Sequence, residues 1–359
     1  MAVHFHSLRV KEIKKETPEC VSILFDVPDK LEKEFQFMQG QNLTIKIKLN
    51  GEEIRRSYSI CAAPYENELR VAVKKAGNGV FSSFANETLK EGDELEVLPP
   101  TGKFNTILQS DHKKTYLAFA AGSGITPIIS IIKTTLQTEP QSSFTLVYGN
   151  KSRNSIVFFE ELEGLKNKFM QRFNLINILS REKTDAAINF GRIDNNKLRE
   201  LGKLFDYSKA DEIFICGPEE MIFCAKDFLS QLRIDERKVH FELFTTPGQT
   251  RITSRNLSSA IDTQGKSRIT IKLDGRSIDF ELSFNNDASI LDAALKEGAD
   301  LPFACKGGVC CTCKAKLEEG EVVMDANWGL EHDELEKGYI LTCQSHPLTE
   351  RIVIDFDVR

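Results

Sequence analysis

Nowhere in the 359 residues does an apolar run approach the roughly 18 residues that a membrane-spanning helix needs. The opening Met1-Ala2-Val3-His4-Phe5-His6 lacks the basic stretch followed by an apolar one that marks a secretory signal, so a cytoplasmic protein is expected. Basic residues are not in excess. Lys and Arg number 47 against 53 Asp and Glu, a net charge of −6, which argues against a nucleic-acid partner. Internal repeats and low-complexity tracts are also missing. What remains is a globular composition, 41% apolar and 28% charged, long enough for two or three domains with ample core. Nine cysteines without an export signal imply thiols used for metal or chemistry in a reducing compartment.

Four of those cysteines carry most of the information. Cys305-Lys306-Gly307-Gly308-Val309-Cys310-Cys311-Thr312-Cys313 is followed thirty residues later by Cys343. With Cys311 left out this is C-x4-C-x2-C…C, the spacing of plant-type ferredoxins, which hold a [2Fe–2S] cluster on four thiolates. The loop must turn its N–H groups toward the sulfurs, and Gly307 and Gly308 are expected to supply the freedom for that. Structural zinc would want a second C-x2-C or histidine partners, and the chain offers neither an HxxxH nor a second knuckle. Disulfides would suit a small secreted domain. Cys305, Cys310, Cys313 and Cys343 are therefore the expected metal ligands, with Cys311 a packed neighbour.

The charge is uneven. Residues 1–245 carry 34 basic and 34 acidic side chains, and residues 246–268 four and one. Residues 269–359 carry nine and eighteen, so the chain's excess of negative over positive charge falls in the cluster-bearing segment. Such a face is either plain solubility surface or a steering patch for a basic electron-transfer partner.

Periodicity divides the chain. Val21–Val27, Leu43–Leu49, Leu69–Val73 and Glu94–Leu98 read as short strands, with Asn50-Gly51 a hairpin turn, and predict a barrel or sandwich over 1–108. Over 109–245 strands and helices alternate: Tyr116–Ala120, Phe144–Tyr148, Phe173–Leu179 and Glu212–Cys216 are the strands of a doubly wound α/β domain, with Pro127 opening its first helix. Residues 246–267, rich in Thr, Ser, Gln, Gly and Arg, read as an exposed linker. Over 268–359 a hairpin turned at Asp274-Gly275, a helix capped by Asp287 and stopped by Gly298, the cysteine loop and a last strand at 352–354 predict a β-grasp domain.

Further segments have chemistry to offer. Arg56-Ser57-Tyr58-Ser59 sets a phosphate clamp, a stacking ring and a hydroxyl at one strand end. Gly77-Asn78-Gly79-Val80-Phe81-Ser82 leads into a helix whose free N–H groups suit a pyrophosphate, with Ser82 an extra donor. Gly122-Ser123-Gly124-Ile125-Thr126-Pro127 does the same after the first α/β strand, although Pro127 breaks the G-x-G-x-x-G pattern. Cys216-Gly217-Pro218-Glu219-Glu220-Met221 follows the last major strand, at the carboxyl edge where open α/β sheets bind ligands.

In this order the segments resemble the ferredoxin–NADP⁺ reductase superfamily, here with a plant-type [2Fe–2S] ferredoxin fused at the carboxyl end. The resemblance covers the whole chain. Arg56, Tyr58 and Ser59 match the R-x-Y-S flavin motif, Gly79 and Ser82 the flavin-pyrophosphate turn, and Gly122, Gly124, Thr126 and Pro127 the nicotinamide-nucleotide loop. Cys216, Gly217, Pro218 and Met221 match C-G-P-x-x-M, whose cysteine lies beside the nicotinamide. It implies an antiparallel β-barrel flavin domain, an NADP-binding α/β domain and a β-grasp ferredoxin domain. It also implies FAD (FMN in some relatives), with Val73, Lys74 and Val80 among the cofactor-binding residues and Ser59 and Cys216 at the catalytic centre. Reductase components of multicomponent oxygenases have this make-up, and benzoate-type ones carry the ferredoxin in front.

NADPH is expected rather than NADH. The loop after the second α/β strand, Gly149-Asn150-Lys151-Ser152-Arg153, has no acid for a ribose hydroxyl. Ser180-Arg181 after the third is similar to the pair that grips the 2′-phosphate in plant-type reductases. Electrons would pass from NADPH through flavin and cluster to an oxygenase with its own metal, docking on the acidic ferredoxin domain. The alternatives are a reductase for another ring hydroxylase or desaturase, and a sensor using its cluster as a redox switch.

Overall fold

The structure is a computed structural model and describes residues 4–244, 265–284 and 286–358. The expected linker 246–267 therefore lies outside the described residues but for its last three. The chain divides into two compact units: the described residues of Met1–His6, Lys48–Ser57 and Thr245–Arg359 form one, and Ser7–Ile47 with Tyr58–Phe244 the other.

The amino-terminal strands are β1 (His6–Thr17), β2 (Cys20–Asp26), β3 (Asn42–Leu49), β4 (Glu52–Ser59), β5 (Leu69–Lys74) and β6 (Glu94–Val97), with helix α1 (Val80–Glu87) between the last two. They form one sheet in the order β4-β3-β6-β1-β2-β5. An antiparallel bridge from Ile60, just beyond β4, to Val71 on β5 closes it into a barrel. Asn50 and Gly51 take positive φ, 52° and 86°, as a two-residue hairpin turn requires.

The α/β part comprises β7 (Thr115–Ala121), α2 (Ile125–Thr138), β8 (Ser143–Asn150), α3 (Phe159–Lys168), β9 (Phe173–Leu179), α4 (Asn195–Leu201), β10 (Glu212–Gly217), α5 (Glu219–Gln231) and β11 (Val239–Leu243). Its strands are parallel in the order β11-β10-β7-β8-β9, so the winding reverses between β7 and β10. α2 is buried almost all round. Its isoleucines 125, 128, 129, 131 and 132 share one apolar cluster with Tyr116, Phe144 and Phe214 of the sheet and Cys20, Cys61, Ala72 and Phe104 of the barrel side. A helix buried on nearly all sides belongs between two layers, and this one has them, its few polar groups bonded inside: Ser130 to the Ala62 carbonyl and Lys133 to Glu66 and Glu161. Pro127 is its third residue, not its first, because a turn at Gly122–Gly124 runs straight into Ile125. Within the first turn the missing N–H costs no helical bond.

The carboxyl-terminal sheet has the order β13-β12-β18-β14-β16, built from β12 (Lys266–Leu273), β13 (Arg276–Ser283), β14 (Lys314–Glu319), β16 (Tyr339–Leu341) and β18 (Arg351–Asp355). α6 (Ile290–Lys296) packs Ile290, Leu291, Ala293 and Ala294 onto its core, while β15 (Val322–Met324) pairs with β17 (Ser345–Pro347) and α7 (His332–Glu336) covers one end. This is the β-grasp arrangement. The cap of α6 is Ser289, whose side chain accepts from the Asp292 amide, and not Asp287. Among the described residues no helix is long and apolar enough to cross a membrane.

Candidate functional site

The winding reversal brings two loops into contact at the carboxyl edge of the parallel sheet. Gly122 sits at φ +56° in the turn after β7. A side chain at Gly124 would begin 2.0 Å from the Cys216 carbonyl oxygen, so only glycine allows this approach. Gly217 is as tight, with the Met221 methyl at 2.7 Å and the Ala121 Cβ at 3.1 Å from where its side chain would start. Gly122, Gly124, Thr126, Pro127, Cys216, Gly217, Pro218 and Met221 thus form one locus. Thr126 is buried and donates its hydroxyl to the Ser123 carbonyl at 3.0 Å.

Cys216 is fully buried, and burial first, then the nearby Glu242, pushes its thiol well above the ordinary range. It is a neutral packing group at neutral pH rather than a thiolate nucleophile. In the β10–β11 register Cys216 stands beside Glu242, and Ser59 at the end of β4 donates to Glu242 Oε2 at 3.2 Å. Glu242 was not legible as a site residue. The only signal in the sequence is an acid between Phe241 and Leu243 at the end of the last α/β strand.

The flavin-motif residues lie on and beside β4. Arg56 donates to the Arg55 carbonyl at 2.7 Å, Tyr58 packs its ring 5.3 Å from that of Phe81, and Ser59 is buried. On β5 Val73 is buried and Lys74 half-buried, its ammonium 3.7 Å from the point where a Gly122 side chain would begin. Gly79 is the cap of α1, Val80 its exposed first residue. The Ser82 hydroxyl, expected as an extra pyrophosphate donor, also closes the turn. It accepts from the Ala76 amide at 3.1 Å and donates to the Gly79 carbonyl at 3.1 Å.

The loops after β8 and β9 run side by side. Ser180 donates from both its amide and its hydroxyl to the Asn150 carbonyl, and the Arg181 amide donates to that of Lys151 at 2.8 Å. Arg153 lays its guanidinium over the Phe159 ring at 4.7 Å. Its amide is held by Glu182 at 2.8 Å, so this neighbouring acid is engaged with backbone. Arg181 is exposed.

Cys305, Cys310, Cys313 and Cys343 are all buried. Their thiols associate as two pairs, Cys305 with Cys310 and Cys313 with Cys343. The Cys305 thiol, bonded to Cys310, holds Cys310 below the ordinary thiol range against its burial. Two pairs of sulfurs suit the two irons of such a cluster. Backbone donors face the sulfurs: Gly307 N–H to Cys305 Sγ at 3.3 Å and Cys305 N–H to Cys310 Sγ at 3.5 Å. A [2Fe–2S] cluster fits this donor set. The turn differs from expectation, because positive φ falls at Lys306 (50°) and Gly308 (74°), not at Gly307. Cys311, at φ 55°, turns its sulfur away to the Gly329 carbonyl.

The acidic stretch 318–336 is less bare than its sequence suggests. Glu318 pairs with Lys272, Glu319 with Arg351, Asp325 with His346, Asp333 with Lys337 and Glu336 with His332. Glu334 is buried, bonded to Lys314 at 2.7 Å and to the Glu331 amide at 3.0 Å.

Comparison with known proteins agrees with this layout. Residues 7–106 match the oxidoreductase FAD-binding domain, 119–227 the oxidoreductase NAD-binding domain, and 271–348 the 2Fe–2S iron–sulfur cluster binding domain. The chain belongs to the oxidoreductases that join these three domains in this order and carry electrons between NAD(P)H, FAD and a [2Fe–2S] cluster. It is 47% identical over 357 residues to a component of the 1,2-phenylacetyl-CoA epoxidase of Escherichia coli strain K12, covering 99% of this chain and 98% of that one. It is 30% identical over 351 residues to the ferredoxin reductase component of 3-ketosteroid-9-alpha-monooxygenase of Rhodococcus rhodochrous, covering 97% and 96%. Phthalate dioxygenase reductase shares the fold over 98% of both chains, with a TM-score of 0.59 and 24% identity.

Proposed function

We propose that this chain is the reductase component of a phenylacetyl-CoA epoxidase. In phenylacetate degradation it draws electrons from NADPH and delivers them to the oxygenase component. The observation that carries this reading is 47% identity along practically the full length of both chains, against 30% for a relative named for a different oxygenase. Flavin accepts a hydride and releases electrons singly, which is why it stands between a two-electron donor and a one-electron cluster.

The chain's own groups bind and orient. Arg56, Tyr58, Val73, Lys74, Gly79, Val80 and Ser82 hold FAD. Gly122, Gly124, Thr126, Pro127, Gly217, Pro218 and Met221 hold the nicotinamide half of the nucleotide, their glycines letting backbone come close. Ser59, Cys216 and Glu242 converge where hydride would pass, a hydroxyl and carboxylate in hydrogen bond beside a thiol that stays protonated. Arg181, with Ser180 and Arg153, reads the 2′-phosphate. Cys305, Cys310, Cys313 and Cys343 hold the cluster, and the oxygenase docks on the ferredoxin domain. A redox sensor would need the cysteines alone, not two nucleotide-binding loops besides.

The test is an anaerobic reconstitution, started by adding oxygen. Purified protein with FAD and cluster, NADPH and the epoxidase oxygenase component should oxidise NADPH in step with epoxidation of phenylacetyl-CoA. NADPH consumption without coupled epoxide would overturn the assignment of the acceptor.

A further inference from the structure

The chain has one tryptophan, Trp328, and it is exposed, with 39% of its surface open to solvent. It stands in a turn closed by the Leu330 amide on the Asn327 carbonyl at 2.9 Å.

That turn is fastened to the cluster loop. The Gly329 amide donates to the Gly308 carbonyl at 2.9 Å, and the Cys311 sulfur meets the Gly329 carbonyl. A side chain at Gly308 would begin 2.9 Å from the Ala326 carbonyl oxygen, so the two loops touch backbone to backbone. Before the turn, the Asp325 amide donates to the Gln344 carbonyl, next to Cys343, and the Gln344 side chain reaches the Lys306 carbonyl at 2.8 Å. After it, Leu330 is buried in the ferredoxin core. The indole is thus presented on a backbone fixed at both ends, directly beside the loop bearing Cys305, Cys310 and Cys313.

We propose that Trp328 is the anchor by which the ferredoxin domain docks on the oxygenase component, its indole entering an apolar recess of a partner whose rim is basic. The inference rests on the functional reading above and names the surface it leaves open. Electrons leave the chain at the cluster, so the acceptor must come within reach of this loop. Tryptophan is among the residue types most enriched at interface hot spots. The charge fits the same partner. Exposed Glu321 and Glu331 lie on the same stretch of chain, and the surrounding segment 269–359 has twice as many acids as bases.

The experiment uses the full-length protein with FAD and cluster, with the epoxidase oxygenase component as acceptor and ferricyanide as an acceptor at the flavin. Trp328→Ala is expected to raise the KM for the oxygenase component about tenfold or more, the effect of losing a hot-spot side chain. The cluster spectrum and NADPH–ferricyanide turnover should stay at wild-type values, and Trp328→Phe should recover part of the loss. Wild-type protein labelled with 5-fluorotryptophan gives a single fluorine resonance, which should shift on adding the oxygenase component and saturate. A Trp328→Ala protein with an unchanged KM, or a fluorine resonance that stays put while electrons flow, overturns the docking assignment alone. A wild type that reduces no oxygenase component overturns the functional reading and this surface with it.

Discussion

Ser59 on the barrel and Glu242 on the last strand of the parallel sheet are joined by a hydrogen bond of 3.2 Å, with Cys216 beside the carboxylate. A hydroxyl and a carboxylate linked in this way orient one another, and loss of either frees the other. Ser59→Ala and Glu242→Gln are each expected to slow flavin reduction by NADPH roughly tenfold, with little change in KM. Because they remove one shared contact, the double variant should be no slower than the slower single one. Stopped-flow flavin bleaching measures all three.

The sulfur pairs make a sharper prediction. Cys305→Ser, Cys310→Ser, Cys313→Ser and Cys343→Ser should each lose the iron while the flavin remains. Cys311→Ser should keep it, because that sulfur faces the Gly329 carbonyl and not the other thiols. Iron and acid-labile sulfide assays decide it, and an iron-free wild type retaining zinc would contradict the cluster altogether.

Arg181 is exposed on a loop whose neighbouring acid, Glu182, is held by the Arg153 amide. Arg181→Ala is therefore expected to raise the KM for NADPH about tenfold and to leave that for NADH nearly unchanged. An equal rise for both would mean that Arg181 positions the whole nucleotide without reading its 2′-phosphate.

Glu212, at the start of β10, ties together the feet of three strands through Lys114 at 2.6 Å and His240 at 2.8 Å. Burial works against its ionised form, but bonds from His240 and Lys114 prevail and hold its carboxyl below the ordinary range. A depressed carboxyl contributes stability that is present above the unfolded value and lost as pH falls through the folded one. Glu212→Gln should therefore cost about 1–3 kcal/mol at neutral pH, as for hydrogen bonds to a charged group. The gap to wild type should close in acid, below the usual carboxylate value of about 4. Chemical denaturation at both pH values checks the sign.

The parts readable from sequence are those whose chemistry is local. Cysteine spacing, the Gly122–Pro127 loop and C-G-P-x-x-M are each confined to one turn, so side-chain type and spacing suffice. Glu242 is not of that kind. It reaches the site only because β11 lies parallel to β10 in a register that sets it beside Cys216. Glu334 reads as surface charge until Lys314, twenty residues away, is folded against it. The cap of α6 fell on Ser289 and not on the expected Asp287 because the helix begins only at Ile290, a boundary that backbone geometry sets. The strain in the cysteine loop fell on Lys306 for the same reason, since where a turn goes left-handed is fixed by what it must wrap.

The contact between Gly124 and the Cys216 carbonyl also bears on engineering. The two loops at the winding reversal form a matched pair that can be transplanted only together, since neither tolerates even a methyl group at its point of contact. The residues proposed to read the 2′-phosphate sit on different strands, in the loops after β8 and β9. On that proposal, residues 150–153 and 180–182 could be rebuilt as an exchangeable cassette, leaving the contact between Gly124 and Cys216 as it is.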